Sequence, residues 1–273
     1  MEQEILTFAD VYNEPAARAQ AEKEKAGAFG WMALAKVWDR PKEADISLVS
    51  SEKRYEPFWR VRAARHTRFQ VKTDYTLQAV SPYALKVSLL DRDLEFRPGG
   101  QLLVSALEHC EKHTELSEFF DGLLKHKGAK TPSEYVAAYQ EKASPYLDGS
   151  GLNLLPPDIT AALIVQKVKA RLMEPVAAHV ILDDELLIGG LTLYYRPVYA
   201  FEFAWRDKRG VVEIDALTGS VNREGSMLSS MARQMVTRDV LFDVGAELAS
   251  SLVPGGGVVV KLVGAATRPV TPP

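Results

Sequence analysis

One alternating stretch constrains this chain more than any other: Leu191 to Val221, LTLYYRPVYAFEFAWRDKRGVVEIDALTGSV. Pro197, Tyr199, Phe201, Phe203 and Trp205 alternate with Val198, Ala200, Glu202, Ala204 and Arg206. Side chains two apart on a strand share a face, so one face of this strand is almost wholly aromatic. Asp207-Lys208-Arg209-Gly210 reads as a turn, with Gly210 free to take a positive φ, and Val211 to Asp215 as the return strand. A hairpin alone is only marginally stable, so the aromatic face must lie on further strands or on a helix.

A fainter copy of the stretch occurs earlier. Tyr55-Glu56-Pro57-Phe58-Trp59 matches Tyr195-Arg196-Pro197-Val198-Tyr199 at a constant separation of 140 positions. The same offset aligns Ile46 and Leu48 with Leu186 and Ile188. Carried forward, it makes Phe69 to Lys72 a return strand after a turn at Ala64 to Thr67. Each copy follows a predicted helix that ends near a proline, Pro41 in one and Pro175 in the other. The implied unit is helix, strand, Tyr-x-Pro strand, turn and strand, present twice as an internal duplication. The shared proline marks where a strand enters its sheet, because it has no N–H to give to a ladder.

Between the copies, Ala84–Leu90, Asp93–Phe96 and Leu102–Leu107 read as short strands, with Pro98-Gly99-Gly100 as a turn. Thr114 to His126 reads as a helix around Leu116, Phe119, Phe120, Leu123 and Leu124. Thr131-Pro132-Ser133-Glu134 is a capping box that opens another helix. Asp158 is the expected cap of the helix before the second copy. A further helix is expected over Met227 to Leu252, followed by the apolar, then proline-rich tail VVVKLVGAATRPVTPP. The expected fold is α+β: two related helix-plus-antiparallel-sheet units, a helical insert between them and a C-terminal helix. The divisions fall at 1–113, 114–157, 158–225 and 226–273.

The composition narrows function only coarsely. A formal net charge of -3 argues against a polyanion binder as a whole. The single cysteine, Cys110, excludes an intramolecular disulfide framework and fits a reducing compartment. The N-terminus lacks a basic segment followed by an apolar run, and no apolar segment is long enough for a membrane span. A cytoplasmic location is therefore the expectation.

Two clusters carry candidate chemistry. His109, Cys110 and His113 combine imidazole and thiolate, which suit zinc, although no second cysteine or glutamate base completes a known arrangement. Arg60, Arg62, Arg65 and Arg68 make the first strand locally basic, with Trp59 and Phe69 interleaved. Basic residues with aromatics suit single-stranded nucleic acid, but alternation sends the aromatics to the opposite face, which makes an acidic protein partner the better expectation.

GVVEIDALTGSV, closing the second copy, resembles the end of a PepSY-type repeat: a strand, Asp-x-x-Thr-Gly and a short exit strand, over about Tyr194 to Val221. The resemblance implies a helix-plus-hairpin module; some such modules inhibit or bind peptidases. The combination of YEPFW, EHC and LYYRPVYAFEF also resembles bacterial proteins with no assigned activity. The function expected on these grounds is a non-enzymatic binding or assembly protein, with a protein partner or self-association through residues 254–273. The alternatives are a metal-dependent enzyme or sensor at His109, Cys110 and His113, and nucleic-acid binding through the basic first hairpin.

Overall fold

A computed structural model of the chain describes residues 1–30, 41–124, 128–147, 150–227, 238–243 and 258–262. Half of these residues are strand and a fifth helix. The expected α+β balance is thus overturned: the protein is dominated by one large mixed sheet, and its helices are short. The reason lies in two strands of unusual length, β2 (Ser47–Gln78, 32 residues) and β7 (Val180–Trp205, 26 residues). Neither strand is reversed along its length, although β7 carries Gly189-Gly190 and the β2–β7 register shifts at Leu48/Ser50, Arg62/Ala63 and Arg68/Phe69. Ala64 to Thr67, expected as a turn, has no glycine, proline or asparagine to reverse the chain, and β2 runs straight through it.

The sheet has eight strands, ordered β5-β2-β7-β1-β6, with β8 and β10 attached along β7 and β9 paired to β8. Here β1 is Glu2–Phe8, β5 Gln101–Asp121, β6 Ala143–Pro145, β8 Lys208–Asp215, β9 Val221–Asn222 and β10 Val258–Leu262. A separate pair, β3 (Lys86–Leu89) and β4 (Arg92–Glu95), caps the far end of the β2–β5 hairpin. The helix expected over Thr114–His126 is instead the second half of β5. Thr114, Leu116, Glu118 and Phe120 also fit a period of two, and pairing to β2 satisfies their backbone.

β2 and β7 are antiparallel partners, and the two Tyr-x-Pro motifs meet each other: Tyr55 faces Pro197, Glu56 faces Arg196 and Pro57 faces Tyr195. The 140-residue offset is therefore realised as a local twofold relation about Glu56 and Arg196. The surroundings obey the same relation. Phe58 pairs with Asp121 of β5, as Val198 pairs with Asp215 of β8. Tyr195 has the parallel strand β1 beside it, as Tyr55 has a parallel bridge to Leu154.

The helices follow suit. α1 (Glu14–Glu24), capped by Asn13, buries Ala17 and Ala21 against Tyr199, Phe201, Phe203 and Trp205. α3 (Ala161–Leu172), capped by Thr160, buries Ile164, Val165 and Val168 with Trp59, Val61 and Ala63. Each leading helix thus covers the other half's long strand. Small alanines let α1 sit close to large rings, while α3 uses branched residues against Trp59. Each fully buried apolar side chain here contributes roughly 1.5–3 kcal/mol. On the opposite face α2 (Pro132–Tyr139) packs Tyr135 and Val136 on Phe8, Phe58 and Tyr194.

Local expectations met mixed outcomes. The Thr131 capping box is present in full. The cap of α3 is Thr160 rather than Asp158, whose carboxylate accepts from the Leu124 N–H instead. The β7–β8 turn is Arg206-Asp207, with Arg206 at φ 56, and Gly210 lies within β8. A Cβ on Gly210 would stand 2.7 Å from the Ala28 carbonyl oxygen, so close approach of the segment after α1 is what demands the glycine. A helix is also expected by sequence over Glu14 to Trp38; its end, within residues 31–40, and most of Met227–Leu252 lie outside the described residues. Within the latter range the turn of helix Arg238–Leu241 (α4) places Leu241 and Phe242 in the core, Phe242 edge-on to Trp59. Of the tail, Val258–Leu262 docks on its own fold as β10, parallel to Asp184–Ile188.

Candidate functional site

The twofold point of the sheet is a buried charged knot. Glu56 accepts from Arg54 Nη2 at 2.9 Å and Nε at 3.1 Å, and its other oxygen accepts from Arg196. Arg54 reaches on to Glu213 at 2.6 Å and to the Ser226 carbonyl at 2.6 Å. Arg196 donates to Asp215 at 2.5 Å, and Asp215 also accepts from the Tyr135 hydroxyl. Asp215 is held by the Leu217 and Thr218 amides, and Glu213 by Asn222 and the Ser226 amide. Alternation along β2, β7 and β8 sends all five charged groups to the face opposite α1 and α3.

Burial by itself would raise the Glu213 carboxyl; the Arg54 guanidinium, the Ser226 amide and Asn222 together hold it below the usual range. Burial pushes the Tyr135 phenol far up, with Asp215 adding to the rise. Burial opposes the charge on Arg196, but Glu56, Tyr135 and Asp215 outweigh it and raise its pKa. A cavity of about 80 Å³ adjoins the knot, lined by Arg196, Glu213, Asp215 and Asn222 among others. Each carboxylate of the knot already faces a guanidinium, so none stands ready as a base or nucleophile. The arrangement fixes the crossing of β2 and β7, and sequence reading missed it because its members lie far apart along the chain.

The expected site residues are distributed otherwise. In β5, His109 faces Gln70, Cys110 faces Phe69 and His113 faces His66. Alternation therefore puts Cys110 on the opposite face from His109 and His113. The His113 ring lies 6.2 Å from the His66 ring and tilted to it, a neighbour that sequence spacing could not supply, and His66 Nε2 lies 2.5 Å from Glu111. Among the described residues no three His, Cys, Asp or Glu side chains form a group able to hold a metal ion.

The arginines also separate. Arg60 lies over the Phe119 ring, Arg62 pairs with Glu2 at 2.5 Å, and Arg68 lies 3.6 Å from Asp183. Arg65 is buried on the other face. It grips Asp184 with two hydrogen bonds of 2.8 and 2.7 Å, and it donates to the Leu172 and Glu174 carbonyls at the end of α3. Burial alone would raise the Asp184 carboxyl, but the Arg65 and Thr67 donors hold it low. Asp183-Asp184-Glu185, which by sequence resembles a turn, lies inside β7. Arg62 faces Gly190 and Glu202 faces Ser50, so the twofold relation carries these two charges to opposite sides of its axis.

The exposed candidate is at the other end of β2. β7 begins at Val180, opposite Gln70, and beyond it, among the described residues, Val71–Gln78 pairs only with Gln101–Glu108 of β5. Eight residue pairs give a two-stranded arm about 26 Å long. At its tip Val80, Tyr83, Leu85 and Leu90 are 102%, 89%, 84% and 89% exposed. The tip, residues 79–100, balances Lys86, Arg92 and Arg97 against Asp91, Asp93 and Glu95.

The chain matches no family model, no curated protein and no solved structure. Among the described residues no helix is long and apolar enough to cross a membrane.

Proposed function

We propose that this chain is a binding or assembly protein acting through protein–protein contacts, with the arm tip as the contact surface. The observation that carries the reading is the exposure of four large apolar side chains, Val80, Tyr83, Leu85 and Leu90, at the end of a two-stranded ribbon. Several large apolar side chains exposed on one short segment mark an interaction site. The balanced charge of the tip favours a protein surface over a polyanion. The PepSY-like character of Tyr194–Val221 and the duplicated Tyr-x-Pro strands fit a scaffold that presents contacts rather than one that performs chemistry.

The test compares wild type with Tyr83→Ser/Leu85→Ser/Leu90→Ser. The tagged proteins are used to capture partners from lysate of the source organism, with quantitative mass spectrometry as readout. One co-captured protein should fall at least roughly tenfold with the triple variant, whose circular dichroism stays that of wild type. Equal capture by both, or none by either, would dispose of the reading.

A further inference from the structure

β5 is the last strand of its sheet, and among the described residues nothing pairs with its outer edge. Its register with β2 runs from Phe58–Asp121 to Gln78–Gln101 without a bulge, and it contains neither proline nor glycine. Short length, bulges and prolines are the usual devices that stop an edge strand from adding another strand. β5 has none of them. What guards it is charge: Glu108, Glu111, Lys112, Glu115 and Glu118, interleaved with His109 and His113. Charge excludes most incoming strands, and it also selects the one whose pattern is complementary.

We propose that the edge of β5 pairs antiparallel with β5 of a second copy, about a twofold axis through Cys110. This goes beyond the tip contact and uses a different surface. A twofold axis normal to an antiparallel pair passes between directly opposed residues, so only a few registers need comparison. Centred on Cys110, Glu108 faces Lys112 of the second copy and His109 faces its Glu111, and symmetry gives each contact twice. On the same ladder Val104 faces Leu116 and Ala106 faces Thr114, and pairing extends from Leu103 to Ser117.

The neighbouring registers are worse. Centring on Glu111 or Lys112 opposes each to itself, and centring on His113 opposes Glu111 to Glu115. Centring on His109 sets every charge of the strand against an uncharged residue. The favoured register joins the two sheets into one continuous sheet, with the arm half of each β5 lying along the body half of the other.

The register has its own reporter. Directly opposed residues have Cα atoms about 4.5–5.5 Å apart, within the span a disulfide closes. Cys110 is the only cysteine in the chain and is partly exposed, so a covalent dimer reports this contact alone. Diamide would take the two electrons and two protons of the opposed thiols and leave the disulfide.

The full chain is examined by sedimentation equilibrium in reducing buffer, and separately after brief diamide treatment. Wild type should be a dimer that oxidation locks covalently, while Cys110→Ser should dimerise without locking. Lys112→Glu, which sets two glutamates against two, should weaken the dimer roughly tenfold. Glu108→Lys/Lys112→Glu restores the opposition of charges and should recover wild-type affinity, which a merely misfolded variant would not. The triple tip variant should dimerise normally, so failure of one surface is distinguishable from failure of the other. A wild type monomeric at about 100 µM overturns the proposal. So does a dimer indifferent to Lys112→Glu, or one that diamide cannot lock.

Discussion

β2 passes through two opposite environments along its 32 residues. Around Glu56 it is flanked by β7 on one side and, on the other, by Leu154 and the end of β5, covered by α3 on one face and α2 on the other, and tied by a knot of buried charge. Around Tyr75 the same strand has one partner, and Tyr75 and Leu77 are 48% and 42% exposed. Both regions alternate apolar with polar residues. The difference is cover, and it teaches that alternation reports which face a side chain takes, while neighbours decide whether that face is a core.

The sharpest way to break this contrast is at the knot. Arg196→Ala would leave Asp215 buried without its guanidinium and Glu56 with Arg54 alone, and should cost about 3–5 kcal/mol in urea unfolding. A loss below about 1 kcal/mol would mean that water reaches the knot and that it does not hold the crossing. Next in size is the seat of the segment after α1. Gly210→Ala pushes a methyl against the Ala28 carbonyl and should cost about 1–3 kcal/mol, read as a lowered urea midpoint at unchanged slope. The smallest effect belongs to the arm. Leu77 of β2, 42% exposed and away from the β5 edge, should change stability by no more than about 0.5 kcal/mol on replacement by serine. A core-sized loss there would show that the face of the arm is covered in solution and would erase the distinction between the two regions.

Much of the body was legible in residue order. Ile46 and Leu48 occupy the places of Leu186 and Ile188, and the aromatic face of Tyr199 to Trp205 found its helix. The Thr131 box fixed a helix start because capping needs only four consecutive residues. β5 was misread because Leu116, Phe119, Phe120 and Leu123 fit a helical period as well as a strand, and only its pairing to β2 decides between them. β1 went unread, being a short strand whose pairing to Glu2–Thr7 comes from Gly190–Tyr195.

Of the candidate sites, sequence supplied His109 and His113 on a common face but counted Cys110 with them. It grouped Arg65 with Arg60, Arg62 and Arg68, although strand alternation alone assigns Arg65 to the other side. Among the charged groups of the knot only Arg54 and Glu56 are local partners; Arg54 meets Glu213, and Glu56 meets Arg196, across more than a hundred residues.

By itself, then, the sequence determined periodicity, face, caps and the repeated Tyr-x-Pro strand, because these depend on residues a few positions apart. Tertiary structure decided that the repeated strands would become each other's partners, that each leading helix would cover the opposite half, and that one end of β2 would stand uncovered. Those outcomes rest on pairing between distant segments, where the free energy of burial and of backbone hydrogen bonds is set by what lies alongside rather than by what comes next.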